Sequence, residues 1–366
     1  MVLVSIVGDF DSSILPILYE FKSDVTKHIL VHDMYKNDIA NAKKIKKGIK
    51  RFKKKYGYNF KTLEYAVDED SLNSLIGCAK YLLSQTAVPN ELYVNTTDGF
   101  STLTTILNQA LFKKGVNFIA YDRYDNEYNL LNSTTLTKFS LEHCMNIEEH
   151  FLLKGYRTQK SDNAQFAKQH KKVIRKLFET HKESYDAFIK HPNTNNKVYE
   201  LSKEYNVVKE LFTSMGLSKI KIKDPILTGT LFEAYIFNLL KKLPYDDIEI
   251  GLKIFRNYKT TEIENEFDIL IMKNNHLHMI ECKYKNQVKL EELIYKYAAL
   301  SAVIDDDAKM LLVTKKSSQY SSAIDLDKSQ GRVYKRGILS NITVLGGVSK
   351  NPQKFVSNVI NELCLK

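Results

Sequence analysis

Apolar and polar positions along the first 140 residues switch between two periods. Val2–Val7 is a continuous apolar run, the mark of a strand buried on both faces. Gly8-Asp9-Phe10-Asp11-Ser12-Ser13 breaks it, and a helix follows to about residue 21. Residues 28–32 read as the next strand. Ile39, Ala42, Ile45, Ile49, Phe52 and Tyr56 then recur at three and four residues, one stripe of an amphipathic helix. Further strands at 63–67, 92–94 and 116–121 alternate with helices over 70–85 and 100–112. Strands alternating with helices predict a parallel, doubly wound, Rossmann-like α/β sheet over residues 1–140.

Between 141 and 215 the strand signal disappears. This charged, glycine-poor stretch predicts a spacer of about three helices, with a small helix-turn-helix module as the other reading. The strand pattern returns after Pro225. A helix is expected over 230–242, strands near 248–256, 266–272 and 277–283, a helix over 290–304, strands at 309–314 and 342–345, and a last helix over 352–364. Helix, three antiparallel strands, helix and strand make a second α/β domain over 216–366. No internal repeat and no low-complexity segment interrupts the chain.

Composition narrows the classes. The 366 residues are 43% hydrophobic and 27% charged, which excludes a disordered chain. Six prolines argue against long linkers. Cys78, Cys144, Cys282 and Cys364 show no paired spacing. That excludes a disulfide scaffold and a zinc ribbon and predicts a cytoplasmic home. No apolar run approaches the roughly 20 residues that span a bilayer, and the opening MVLVSIVGDF lacks a basic leader. Neither a membrane partner nor a signal peptide is expected. The net charge is +11 and is spread along the chain: +3 over 1–140, +3 over 141–215 and +5 over 216–366. The bias is toward a polyanionic partner, nucleic acid above all. Residues 43–55 hold nine basic residues and no acid, on the solvent side of the 39–56 stripe. Such a run is ordinarily a solvated face; contact with nucleic acid is the alternative.

The sharpest chemical signal is EFDILIMKNNHLHMIECKYK, from Glu266 to Lys285. A two-residue turn at Asn274-Asn275 suits asparagine, which tolerates the left-handed conformation such turns need. Pairing then runs 273 with 276 and 272 with 277, and ends with Asp268 opposite Glu281, their Cβ atoms about 5 Å apart. Lys283 falls on the face of Glu281, with Glu266 opposite it. Leu270, Met272, Leu277 and Met279 share the face of the acids, and Phe267, Ile269, Ile271 and Ile280 the other. Two carboxylates in so apolar a hairpin repel each other, and one must protonate unless a cation intervenes. Hard oxygen ligands suit Mg2+ or Mn2+. Lys283 can reach a phosphate oxygen or the attacking water. Glu233, one turn into the helix that opens at Thr228-Gly229-Thr230, is a fourth candidate. The plain alternative is a surface salt bridge. His276 and His278 are expected on opposite faces as solvated turn residues, and Lys285 and Lys289 as substrate-backbone contacts.

Asp268, Glu281-Cys282-Lys283 and the earlier Glu233 resemble the PD-(D/E)xK, restriction-endonuclease-like nucleases over residues 216–366. The proline of the older motif is absent. The resemblance implies that Asp268, Glu281 and the Cys282 carbonyl bind metal and that Lys283 is the catalytic lysine.

In an open parallel sheet, ligands collect beyond the carboxyl ends of the strands. Two small, polar loops fall there: Gly8, Asp9, Phe10, Asp11, Ser12 and Ser13 after the first strand, and Asn95, Thr96, Thr97, Asp98 and Gly99 before a helix. Neither is a dinucleotide or P-loop motif. Asp11 or Ser12, and Asp98, are also good helix caps. With the nuclease half, this layout resembles the CARF domain, the CRISPR-associated Rossmann fold that senses cyclic oligoadenylate. Asp98-Gly99 stands where that family often has a richer glycine pair, and Phe100-Ser101 where lysine is frequent. The order of CARF domain, spacer and PD-(D/E)xK domain resembles the cyclic-tetraadenylate-activated nucleases of type III CRISPR defence. It implies a homodimer that binds one ring across its two-fold axis, is allosterically activated, and cuts single-stranded RNA or DNA or nicks duplex DNA. The rival expectations are a restriction or repair nuclease with no activator and a ligand-responsive transcription regulator that binds duplex DNA without cutting.

Overall fold

A computed structural model describes residues 1–8, 13–191, 195–255, 265–284, 300, 304, 308–315 and 342–365. Asp9, Phe10, Asp11, Ser12, Lys285, Lys289 and nearly all of the helix expected over 290–304 lie outside the described residues. The chain divides into two compact units, the first Met1–Thr158 with Ile254–Glu262 and the second Gln159–Lys253 with Ile263–Lys366.

In the first unit, β1 (Val2–Val7), β2 (Lys27–Asp33), β3 (Lys61–Val67), β4 (Leu92–Asn95), β5 (Asn117–Asp122), β6 (Glu127–Leu131) and β7 (Leu136–Ser140) form one sheet in the order β3-β2-β1-β4-β5-β6-β7. Pairing is parallel from β3 to β5. Strand alternation separates two cores. Leu3 and Val7 pack with Ile14, Ile45 and Phe52 of α1 (Ile14–Glu20) and α2 (Lys36–Tyr56). Val4 and Ile6 pack with Leu75, Leu82, Leu103 and Leu107 of α3 (Leu72–Leu83) and α4 (Ser101–Leu111). Both faces are covered, so β1 must be apolar throughout. The first unit is therefore the expected doubly wound sheet. It also carries what the pattern did not predict: β5, β6 and β7 pair antiparallel. β7 is exposed along its whole length, so it shows no hydrophobic alternation to read.

One buried side chain makes the first unit acid-sensitive. His28 is fully buried, its Nε2 3.0 Å from Ser5 Oγ. Burial, helped by the charge of Lys53, lowers its pKa to about 3. The unfolded chain therefore binds a proton that the folded one refuses. The stability from neutral His28 is complete above pH 6.5 and is lost as pH falls toward 3, at about 1.4 kcal/mol per pH unit. Denaturant melts at pH 7 and pH 5 will show this fall, and His28→Gln will flatten it.

A second sheet has the order β13-β12-β11-β10-β9-β8, with β8 (Arg157–Gln159), β9 (Asp247–Phe255), β10 (Asn265–Lys273), β11 (His276–Lys283), β12 (Met310–Thr314) and β13 (Ile342–Gly346), of which β10 to β13 lie wholly in the second unit. β10 and β11 are antiparallel; β11, β12 and β13 are parallel. The helical stretch expected as a spacer is divided. Ile147–Leu153, or α5, has Leu152 and Leu153 in a core of the first unit. The rest comprises α6 (Asn163–Gln169), α7 (Lys171–Glu179), α8 (Lys182–Ile189) and α9 (Asn206–Ser214). Their Phe178, Tyr185 and Phe212 share one core with Ile269, Ile280 and Leu311 of the sheet. α10 (Leu231–Leu240) and α11 (Pro352–Glu362) complete that core. No helix among the described residues is long and apolar enough to cross a membrane.

Candidate functional site

The hairpin of the second unit closes through Asn274 and Asn275, at φ +51° and +63°. Both are left-handed, as a two-residue hairpin turn requires. The register pairs Lys273 with His276, Met272 with Leu277 and Ile269 with Ile280. Continued by one step, it sets Asp268 against Glu281. Glu281 is 4% exposed, an unusual place for a carboxylate. Lys283 makes a close ion pair with Glu281 Oε1, and its Nζ lies 4.0 Å from Asp268 Oδ2. Asp268 Oδ2 accepts a hydrogen bond from the Cys282 backbone N–H at 2.8 Å.

Glu233 enters from α10, directly after a wide π-helical turn at Ile226–Thr230. Such turns often accompany functional sites. Burial first, then the charge of Asp268, push the Glu233 carboxyl up to about 8, with Lys283 pulling the other way and Glu281 adding to the rise. The four predicted residues thus feel one another. Burial works against the Lys283 ammonium, but Glu281 and Asp268 outweigh it and raise its pKa. The buried Cys282 thiol is pushed up by burial and by the same three carboxylates, so it is no thiolate, and only its carbonyl suits a hard ion.

Glu266 is exposed, its carboxylate 3.7 Å from Lys253 Nζ. Two expectations need correction. His276 and His278 share a face, as residues two apart on a strand must, with rings nearly parallel at 6.4 Å. His278 is buried, and its Nδ1 accepts from Lys309 N. A neighbouring network was not foreseen from the residue pattern. Tyr284 Oη donates to Asp186 Oδ1 at 2.6 Å, and Lys315 Nζ lies 2.5 Å from the same oxygen and 4.9 Å from the Tyr284 ring centre. This brings a second ammonium to the β11–β12 end of the sheet. Asp186 is one of two acids in α8, beside Glu183, and no motif singles it out.

Among the described residues, no three His, Cys, Asp or Glu side chains form a ready metal cage. Magnesium-type ions do not demand one, since they bind through one or two carboxylates with water and substrate phosphate. Asp268, Glu281 and the Cys282 carbonyl supply hard oxygens, and the charges of Asp268 and Glu281 add to burial in raising the Glu233 carboxyl. The donor set fits a hard divalent cation.

The first unit builds its crevice where β1 and β4 lie side by side and their neighbours diverge, the switch point of the sheet. A Cβ on Gly8 would stand 2.7 Å from the Asp98 carbonyl oxygen, so only glycine lets the two loops approach. Asn95, 2% exposed, ties them together. Its Nδ2 donates to Ser13 O at 3.2 Å, and its Oδ1 accepts from Thr97 N at 3.2 Å and Thr97 Oγ1 at 2.6 Å. Thr97 Oγ1 accepts from Tyr121 N, and Thr96 Oγ1 donates to Ile119 O, fastening the loop to β5. Gly99 N closes a turn on Thr96 O.

The capping expectation for Asp98 fails: Phe100 holds the N-cap position of α4, with no side-chain cap, and Asp98 Oδ1 instead lies 3.3 Å from Arg123. Asp98 Oδ2 and Ser13 Oγ are buried without a hydrogen bond among the described residues. An uncapped helix start and two spare polar atoms suit a ligand with phosphates and hydroxyls.

Residues 221–324 match a family model described as the Card1-like endonuclease domain. No curated protein matches the chain. Among solved structures, the chain is similar to protein VC1899 from Vibrio cholerae, with TM-score 0.75 and 13% identity, over 100% of this chain and 97% of that one. It is similar to Can2 from Sulfobacillus thermosulfidooxidans, solved with cyclic tetra-adenylate, with TM-score 0.69 and 15% identity, over 99% and 98%. A type III CRISPR defence DNA nuclease activated by cyclic oligoadenylate gives TM-score 0.54 and 14% identity, over 86% of this chain and 45% of that one. The whole-chain fold is shared with VC1899 and Can2, and within the second unit residues 221–324 are similar to the Card1-like endonuclease domain.

Proposed function

We propose that the protein is a metal-dependent nuclease activated by a cyclic oligoadenylate, cyclic tetraadenylate in particular. One observation carries this reading: Glu233, Asp268, Glu281 and Lys283 converge at one hairpin end within the segment that matches an endonuclease domain. The crevice at the β1–β4 switch point and the fold shared with Can2 support the activator. The chain is taken to act as a homodimer, because a symmetric ring suits an isologous pair.

Asp268, Glu281 and the Cys282 carbonyl would hold a Mg2+ or Mn2+ ion, which supplies Lewis acidity and charge neutralisation. Lys283 offers its ammonium to the non-bridging phosphate oxygens, where charge grows as the P–O bond breaks. Burial of Glu281 keeps water from screening that contact. Asp268, accepting the Cys282 N–H, fixes the strand end so that Lys283 and Glu281 keep their alignment.

The test is a cleavage assay on single-stranded RNA, single-stranded DNA and supercoiled plasmid. Cyclic tri-, tetra- and hexaadenylate are titrated with manganese or with chelator. Cutting is expected only with metal and one of the rings. Full cutting without a ring would leave a plain nuclease, and ring binding without cutting in any condition a regulator.

A further inference from the structure

α2 carries a second feature that the sensor and nuclease sites do not use. Of its nine basic residues between 43 and 55, several have internal tasks. Lys46 lies 2.9 Å from Glu64, and Lys55 2.5 Å from Glu148. Arg51 donates to Gly155 O at 2.8 Å, and Lys53 to Phe60 O. Lys43, Lys47, Lys50 and Lys54 are exposed and make no ion pair among the described residues. They recur at four, three and four residues, so they form one stripe about 16 Å long on the helix. This stripe opens at one end into a cavity of about 430 Å³, lined by Lys43, Lys44, Lys47, Lys154, Gly155 and Tyr156, with Ala40.

The cavity is held by rigid parts. A Cβ on Gly48 would fall 1.8 Å from the Leu153 carbonyl oxygen, so α2 and the end of α5 touch backbone to backbone. Lys44 Nζ sits 5.2 Å from the Tyr156 ring centre, a cation–π contact that holds it at the wall. Lys154 is only 3% exposed. A compact anion would need the cavity alone; four evenly spaced ammonium groups leading into it suit a chain of phosphates.

We propose that this cavity and lysine stripe bind the sugar-phosphate backbone of a nucleic-acid strand, at a site separate from the β1–β4 crevice. The inference does not rest on the nuclease reading, because binding is measured with chelator and no cutting.

The test is fluorescence anisotropy of labelled 20-nucleotide single strands over a salt series, on the full-length protein. Lys43→Ala/Lys47→Ala is expected to weaken binding roughly tenfold at low salt. It should also lower the slope of log K against log salt by about 1.4, two contacts at roughly 0.7 each. Lys113→Ala/Lys114→Ala removes the same charge from exposed positions elsewhere in the first unit and should leave the slope in place. Equal effects from both pairs would reduce the site to general charge and overturn the proposal, as would no effect from the first pair. Tripolyphosphate is the third arm. If its binding depends on Lys43 and Lys47 while that of the strands does not, the occupant is a small polyphosphate and the strand assignment is wrong.

Discussion

Lys283→Ala will lower ring-activated cleavage by roughly two to three orders of magnitude, the usual cost of removing one group that stabilises transition-state charge. Affinity for the cyclic oligoadenylate will stay at the wild-type level, because the crevice proposed to receive it is built from other elements. The same substitution leaves the nearly buried Glu281 without its ammonium. Breaking a buried pair from one side costs about 3–5 kcal/mol, so lower activity could reflect unfolding. Two controls separate these causes. Melting temperature is measured beside activity, and Glu281→Gln keeps the shape while removing the charge. Glu281→Gln should match Lys283→Ala in lost cleavage, and a folded Glu281→Gln that no longer cuts places the loss in the chemistry. Wild-type cutting by both folded variants would remove the hairpin from the chemistry.

Asn95→Ala will raise the activator concentration for half-maximal cleavage by at least tenfold. Asn95 makes three hydrogen bonds, one across to Ser13 O after β1 and two from Thr97 within its own loop. Its loss leaves Ser13 O and Thr97 N without those partners in a buried place, at about 1–3 kcal/mol each, and 1.4 kcal/mol is already tenfold in binding. Thr97→Val should act in the same direction, since Thr97 Oγ1 bridges Asn95 and the Tyr121 N–H. Thr97→Ser keeps the hydroxyl and should stay near wild type. Direct ring binding, read by calorimetry, must weaken in step. Maximal cleavage at saturating ring should be retained, because the nuclease residues are untouched. An unchanged activation curve for Asn95→Ala would show that the β1–β4 loops do not form the sensor.

The nuclease hairpin could be read from the chain because each of its determinants is local. Asn274-Asn275 chose the turn, the turn set the register, and strand parity aligned Asp268, Glu281 and Lys283. The loops proposed to hold the activator were placed for a similar reason: an apolar run that stops at small polar residues marks a strand end, and strand ends in a parallel sheet face one crevice. Three features were not legible. β7 is exposed throughout and left no alternation. Asp98 had the right residue type for a helix cap, yet Arg123, 25 residues later, claimed its carboxylate. Asp186 gained its meaning only from Tyr284 and Lys315, about 100 residues away.

What the amino-acid sequence determined by itself was therefore periodicity and its interruptions: which segments are strands, which are helices, and which acids and amines share a strand face. These follow from backbone geometry and nearest neighbours. Only the tertiary structure decided which distant groups meet. It divided the helices between two cores, buried Glu281 to 4% exposure, and brought Glu233 near enough for burial and Asp268 to lift its carboxyl to about 8. Charge and desolvation act through space, and the distances on which they depend do not exist until the chain has folded.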